Sequence, residues 1–303
     1  MRKVIVTGAN GFVGRYLLRE LTKQGYDIWS IVRNSDEDIS CIEELNSNIV
    51  YCDLKDIIKL DEIVKERNFD CFYHLAWAGS SGDGRKNYQL QLNNAKACAD
   101  AASVAAKLGC KRFVGAGSVT ELMYGDYLKQ DGSEPEMVTC YAIGKMAAEY
   151  LSRCVCTENG VEFLWAYISN FYGVGDQSQN FLNFLIRAYS SGATPTLTSG
   201  DQDADFMYVS DVARGLRMMG ESGCSGKHYY LGYGSPRPLK EFVKMIRDIV
   251  APEMETGLGK KEFHGLNVDF NAIDIEKLKR DTGFAPQVDF EDGIRRTISF
   301  LID

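Results

Sequence analysis

The sequence predicts an α/β protein built on a doubly wound parallel sheet, with a smaller lobe supplied by the C-terminal part of the chain. Three observations predict it. Apolar runs of strand length alternate with helical patterns through the first 116 residues, the order that makes parallel β-α-β units. The first apolar run ends in a glycine-spaced turn that opens directly into a helical pattern. Past residue 170 the alternation gives way to shorter motifs of mixed periodicity. Residues 1–170 are therefore expected to form the sheet domain. Residues 171–303 form most of the second lobe, with some segments free to return to the sheet.

Arg2 and Lys3 lead into the first strand, Val4-Ile5-Val6. Thr7-Gly8-Ala9-Asn10-Gly11-Phe12-Val13-Gly14 follows, and a helical pattern runs from Arg15 to Gln24. In such a turn Gly8 permits the reversal off the strand, Gly11 lets backbone approach a pyrophosphate, and Gly14 lets helix pack close to strand. The helix N-terminus adds free N–H groups and a positive dipole end. An ordinary glycine-rich turn would use the same residues. Their place after a strand and before a helix makes dinucleotide binding the reading.

Asp27 to Arg33 reads as the second strand. In dinucleotide folds an acidic residue at this strand's end holds the ribose hydroxyl pair, whereas an arginine pairs with a 2′-phosphate. Here the strand ends in Arg33-Asn34, with no carboxylate beside the arginine and none until Asp36. This favours NADP(H). NAD(H) is the alternative, if Asp36 or Asp38 reaches back past a solvent-facing arginine. Ile49 to Leu54 reads as the third strand, with Asp53 placed to N-cap a helix over residues 56–66. Cys71 to Trp77 is the fourth, and its His74 reads as a packed structural residue rather than a general base. A polar loop over residues 79–86, an Ala-rich helix over 88–108 and a fifth strand from Arg112 to Ala116 complete the pattern.

The fifth strand runs into Gly117-Ser118, at the strand end where open α/β sheets build sites. Twenty-three residues after Ser118 comes Tyr141-Ala142-Ile143-Gly144-Lys145. Residues four apart share a helix face, so phenol and ammonium point the same way. A nearby lysine cation favours phenolate and suits the tyrosine to acid–base work. Ser118 would hydrogen-bond the reacting oxygen, and Tyr141 would move the proton while a nicotinamide takes or gives hydride. Farther on, residues 228–232 read as a strand, and 238–249, 274–282 and 289–302 as helices that cover the reactive end of a cleft.

Composition bounds the partners. A net charge of −8 argues against nucleic acid or an anionic membrane surface, and it leaves any anionic substrate to be met by local donors. No apolar run approaches membrane-spanning length and no signal-like segment precedes the first strand. The nine cysteines are scattered, with no Cys-x-x-Cys or Cys/His ligand set. A cytoplasmic protein with reduced thiols and no metal is expected.

The string from Thr7 to Gly14, the Ser118/Tyr141/Lys145 set and several later stretches resemble the extended short-chain dehydrogenase/reductase family of the NAD-dependent epimerase/dehydratase type. That family modifies sugar nucleotides on a Rossmann-type fold. The resemblance implies cofactor contacts from Gly8, Asn10, Gly11, Phe12, Val13, Gly14, Arg33, Asp53, Leu54, Leu75, Ala76, Trp77, Asn93, Tyr141 and Lys145. Asp53 would bond the adenine amine, and the backbone of Leu75 to Trp77 would pass over the cofactor. Residues 169–176 are similar to the family's Asn-x-Tyr-Gly-Pro-Gly stretch, and residues 205–212 to its Arg-Asp-Tyr-x-x-Val-x-Asp-Val motif. Substrate contacts are then implied for Thr120, Asn170, Asn180, Phe181, Thr196 and Leu197.

The chain also departs from the pattern. Ala204 stands where the family has an arginine that binds the substrate diphosphate, Tyr167 where many members carry arginine, and Val174 where they carry proline. Arg187, Arg237 and Lys240 are the candidate replacements for the diphosphate contact. The resemblance further implies a homodimer, formed by the Ala-rich helix and the Tyr141 helix, whose outer face is expected to carry Ala147, Ala148, Leu151 and Val155. The expected activity is NADP(H)-dependent reduction of a 4-keto group on a nucleotide-activated 6-deoxy sugar. The alternatives are an NAD-dependent 4-epimerase and a non-catalytic protein that senses the dinucleotide.

Overall fold

In a computed structural model, which describes residues 2–302, the chain forms these elements in order: β1 (Lys3–Thr7), α1 (Phe12–Lys23), β2 (Asp27–Val32), α2 (Ser40–Glu43), β3 (Asn48–Tyr51), α3 (Leu60–Ile63), β4 (Cys71–His74), α4 (Tyr88–Lys107), β5 (Arg112–Ser118), α5 (Val119–Tyr127), α6 (Cys140–Glu158) and β6 (Glu162–Ile168). The remainder is β7 (Asn170–Tyr172), α7 (Phe181–Ser190), β8 (Asp203–Ala204), β9 (Phe206–Tyr208), α8 (Val209–Ser222), β10 (Lys227–Leu231), β11 (Arg237–Pro238), α9 (Leu239–Val250), α10 (Lys277–Thr282) and α11 (Phe290–Ile302).

Seven strands form one parallel sheet in the order β10-β6-β5-β4-β1-β2-β3. The order reverses between β1 and β4, which opens a crevice at their C-terminal ends. Strands this apolar belong in a sheet covered on both faces, and they are. One face packs under α1 and α8 through Leu17, Leu18, Leu21, Val212 and Leu216. The other packs under α4 and α6 through Ala101, Ala102, Ala105 and Ala148. The small residues of α4 let α6 lie close against it. Gly115 and Gly117 in β5 make room for the Trp165 indole of β6, since a Cβ at either would meet that ring at 2.2 Å.

A third core fills the C-terminal lobe, where α7, α9 and α11 enclose Phe206, Phe242 and Phe290. The lobe is not made of one continuous segment, since β10 returns to pair with β6 and α8 returns to the face beside α1.

Some elements differ from expectation. The helix expected over residues 56–66 is a 3-10 segment, Leu54–Lys59, followed by the short α3. Asp53 caps this tighter turn, and the Arg67 guanidinium holds the carbonyls of Val64 (2.6 Å) and Asp61 (3.1 Å), ending the helix early. The stretch after Ser118 is helical, because Ser118 and Glu121 form a capping box at its start. Ala148 faces the core instead of solvent. The apolar residues exposed on α4 and α6 are Tyr88, Leu92, Ile143, Tyr150 and Leu151. Among the described residues no helix is long and apolar enough to cross a membrane, and no cluster of His, Cys, Asp and Glu is placed to hold a metal.

Candidate active site

The crevice begins at the glycine turn. Gly8 has φ +68, and α1 packs so tightly over the turn that a Cβ on Gly14 would lie 2.1 Å from the Gly8 carbonyl oxygen. The α1 N-cap is Gly11, which has no side chain to offer, and no acidic residue stands in the first turn. The leading N–H groups are thus left for a ligand. A pyrophosphate fits this cradle in charge and in space. Phe12 packs against Phe171 and Tyr16 (ring centroids 6.0 and 5.9 Å apart) and Val13 joins the apolar core, so backbone is what these two offer a ligand.

At the end of β2 the structure corrects the reading of Arg33 as a residue with no carboxylate beside it. The Arg33 Nε donates to Glu37 Oε1 at 2.6 Å, and the other Glu37 oxygen accepts from Asn10 Nδ2 at 3.3 Å. Asn34 turns the chain by accepting from the Asp36 N–H, and the i,i+4 spacing then brings Glu37 back. Asp38 caps the Ser40 N–H instead. A carboxylate therefore stands beside Asn10 of the glycine turn. Asp53 is occupied with the Lys55 N–H at 3.0 Å, and Leu54 packs against the core.

His74 is buried at the tip of β4, its Nδ1 3.0 Å from the Thr7 hydroxyl. That hydroxyl already accepts from the N–H groups of Leu75 and Ala76, so its proton goes to His74. The imidazole is then neutral, and burial followed by the Lys145 charge pushes its pKa down to about 3. Its role is to tie β1 to β4. The asparagine that pins the next loop is Asn94, which bonds both backbone groups of Ala78 at 2.8 and 3.1 Å. Asn93, one position away on α4, faces solvent. A step of one residue turns a helical side chain by about 100°, and the sequence pattern alone did not fix that phase.

Ser118, Tyr141 and Lys145 meet at the C-terminal end of β5. Lys145 is 4% exposed, donates to the Ala116 carbonyl at 2.6 Å and lies 3.7 Å from the centroid of the Trp77 ring. Burial pulls its pKa below the ordinary lysine range. Burial raises the Tyr141 pKa, while the Arg85 guanidinium and a hydrogen bond from Ser118 favour its phenolate. Ser118 Oγ accepts from both the N–H (3.3 Å) and the hydroxyl (2.8 Å) of Thr120, which leaves its own proton to donate.

Two further residues stand at this site. Glu121, 3% exposed, accepts from the Ser118 N–H at 2.5 Å and from Trp165 Nε1 at 3.1 Å, and burial raises its pKa. Arg85 stacks over the Tyr141 ring with its guanidinium carbon 4.2 Å from the centroid. The Ser-x-x-Glu spacing is a capping-box signal that could have placed Glu121. No local pattern announces Arg85.

The implied substrate residues are dispersed. Asn180 caps α7 and donates to Asp176 at 2.6 Å. Phe181 packs on the lobe core, and Asn170 and Thr196 are exposed. Leu197 has its side chain buried in that core, so only its backbone could serve a ligand. Of the candidate cations, Lys240 is paired with Asp201 at 2.7 Å and Arg187 lies at the surface. Arg237 stands directly opposite Ala204 in the β11–β8 pair and stacks on Phe242 at 4.4 Å. It thus brings a guanidinium beside the position where the arginine is missing, on the wall of a cavity of about 290 Å³.

The profile of the NAD dependent epimerase/dehydratase family matches residues 4–232. A dTDP-glucose 4,6-dehydratase of Neisseria meningitidis serogroup B is 26% identical over 100% of this chain and 94% of its own length. Two solved structures share the fold at 19% identity. The Bordetella bronchiseptica enzyme WbmF in complex with NADH has a TM-score of 0.80 and covers 99% of this chain and 91% of that one. The UDP-glucose 4-epimerase of Thermotoga maritima with UDP-glucose has a TM-score of 0.79 and covers 99% and 98%.

Proposed function

The chain belongs to the NAD dependent epimerase/dehydratase family, and from that premise we propose that it oxidises and re-reduces the C4 hydroxyl of a nucleotide-activated sugar, with NAD(H) held in the crevice. The observation that carries this reading is the convergence of Ser118, Tyr141 and Lys145 at the end of β5. The Glu37 carboxylate beside Asn10 supports NAD over NADP, since it is placed for a ribose diol.

A nicotinamide bound in the crevice would supply the hydride acceptor and donor for C4. Tyr141 as phenolate accepts the C4 hydroxyl proton and gives it back in the reverse step. Ser118 donates its proton to the same oxygen and holds it in place. Lys145 keeps positive charge beneath the site. Trp77 covers that ammonium and excludes water from it. Arg237 is the best-placed cation for the diphosphate. Both oxygens of Glu121 are occupied by Ser118 and Trp165, so no free acid stands beside Ser118 for an elimination. That argues against a net dehydration here, although the dehydratases are relatives.

One observation keeps a second reading in view. Arg33 is still at the end of β2, and its side chain is 64% exposed in a pair that solvent screens. NADP(H)-dependent reduction of a 4-keto-6-deoxy sugar nucleotide would use it. Stoichiometric NAD released from washed, denatured protein supports the epimerase. A protein that purifies empty and consumes NADPH on 4-keto sugars supports the reductase. Tyr141→Phe should lower turnover about 10²- to 10⁴-fold with dinucleotide still bound. Wild-type protein that binds dinucleotide and turns over no sugar nucleotide would leave only the sensor.

The exposed Tyr88, Leu92, Ile143, Tyr150 and Leu151 on the adjoining helices α4 and α6 support a homodimer through that face. A monomer in sedimentation velocity at micromolar concentration would remove it. The free thiols of all nine cysteines support a cytoplasmic setting.

A further inference from the structure

Arg85 enters the crevice from the polar loop after β4. Its guanidinium carbon lies over the Tyr141 ring, 4.2 Å from the centroid. Its Nε is buried and has no hydrogen-bond partner. The acid nearest in sequence, Asp83, is paired with Lys86 at 3.3 Å. Among the described residues no carboxylate lies within ion-pair distance of Arg85.

The loop that carries it is fastened down. Gln91 on α4 donates to the carbonyls of Gly79 (3.1 Å) and Gly84 (2.8 Å) and accepts from Trp77 Nε1 at 2.9 Å. Gly79 and Gly84 touch, since a Cβ on Gly84 would meet the Gly79 Cα at 2.5 Å. One hydrogen-bonded unit therefore ties Arg85, Trp77 and, through Trp77, Lys145. An arginine held beside the proposed catalytic tyrosine, with donors left over, is a built recognition element.

We propose that Arg85 reads a carboxylate on the carbon next to the one Tyr141 acts on, so that the substrate is a nucleotide-activated uronic acid. This rests on the C4 chemistry proposed above. A guanidinium over the Tyr141 ring stands within a few ångströms of the phenolic oxygen, and so of C4 and its neighbours. The diphosphate is on C1, across the pyranose ring. A carboxylate on C5 is adjacent. The planar fork of arginine can take a carboxylate with two parallel hydrogen bonds while its face stays on the aromatic ring. A protein of net charge −8 needs such a local donor to hold an acidic sugar. A neutral hexose would leave the guanidinium without an anion in a partly buried site.

The test compares UDP-glucuronic acid with UDP-glucose, and the same two sugars as dTDP esters, on wild type, Arg85→Ala and Arg85→Lys. NADH fluorescence on each variant reports that the crevice is folded. The quantity read is kcat/KM for the uronic sugar divided by that for the neutral one, which cancels any effect on Tyr141 common to both. Wild type should favour the uronic sugar. Arg85→Ala should lower the ratio about 10- to 100-fold, the size of a lost charge-assisted pair. Arg85→Lys should recover part of it, since charge returns without the fork. A ratio unchanged in Arg85→Ala, or a wild type that turns over only neutral sugars, overturns the proposal and leaves the C4 chemistry standing. A wild type that binds NADH and turns over none of the four removes both.

Discussion

The two ends of the crevice are built in different ways. At the glycine turn the close contacts are backbone on backbone: Gly14 on the Gly8 carbonyl, six residues back, and Gly8 on Ala76 just past the end of β4. At the other end Ser118 comes from β5, Tyr141 and Lys145 from α6, Trp77 and Arg85 from the loop after β4, and Glu121 from α5. Their contacts are made by side chains, most of them ionisable, reaching other side chains or backbone. The first end should therefore respond to added volume and hardly to charge. The second should respond to protons and charge, and less to volume.

The largest expected effect is at the glycine end. Gly14→Ala puts a methyl group 2.1 Å from one carbonyl oxygen and 2.8 Å from the next, so α1 must move off the turn. A loss of about 3 kcal/mol in chemical denaturation, together with loss of dinucleotide binding, is expected. Gly25→Ala is the control. Unlike Gly14 it has positive φ (+73), but it has open space around it, so about 1 kcal/mol of backbone strain is all it should cost. Equal losses for the two would mean that close approach does not set the geometry of this end.

The same difference decided what could be read from the sequence. A contact between backbones six residues apart has to be written as glycine at fixed spacing, so the Gly8–Gly14 turn was legible. Tyr141 and Lys145 were legible because four residues on one helix is also a local relation. Arg85 meets Tyr141 across 56 residues of chain, and only the fold of the loop around Gln91 brings them together. Glu37 was missed for the opposite reason. The turn at Asn34 is local, but it depends on one side-chain hydrogen bond that makes i+4, not the nearer Asp36, the residue that reaches Arg33. The phase of α4, which exposes Asn93 and buries Asn94, was set by packing against α6 and could not be read from alanines that are apolar all round.

His74 sits between the two ends and tests whether a titratable group there behaves as structure. Its folded pKa is pushed down to about 3 from 6.5. Above pH 6.5 neither folded nor unfolded chain protonates it. As the pH falls below 6.5 the unfolded chain takes up a proton that the folded chain refuses, so stability is lost progressively toward pH 3, at up to about 1.4 kcal/mol per pH unit. His74→Asn removes that proton uptake. The variant should be less stable at neutral pH by roughly 1–2 kcal/mol for the lost Thr7 contact, and its stability should fall less steeply than wild type between pH 6.5 and 3. Parallel acid limbs for the two proteins would mean that His74 is protonated in the fold and belongs with the chemistry.

The smallest expected effect is at the outer edge of the glycine end, where charge enters a region otherwise governed by backbone. The Arg33–Glu37 pair is exposed to solvent, 64% for the arginine side chain and 24% for the glutamate, so the pair itself contributes little to stability. Its consequence is for which dinucleotide binds. With Glu37 present, Arg33 is paired and a carboxylate stands beside Asn10, where the proposed NAD(H) reading needs an acceptor for a ribose diol. Glu37→Ala removes that acceptor and frees the guanidinium for a 2′-phosphate. The ratio of Kd for NADPH to Kd for NADH should then fall about tenfold, one well-placed charged contact. Arg33→Ala should move the ratio the other way, by disfavouring NADPH alone, because the carboxylate is still there. The double variant should return near the wild-type ratio if the two residues act on each other. Fluorescence titration of both dinucleotides on all four proteins measures it. A ratio that does not move in Glu37→Ala would mean that the carboxylate at this edge only steadies the loop, and that cofactor choice is made entirely by the backbone of the turn.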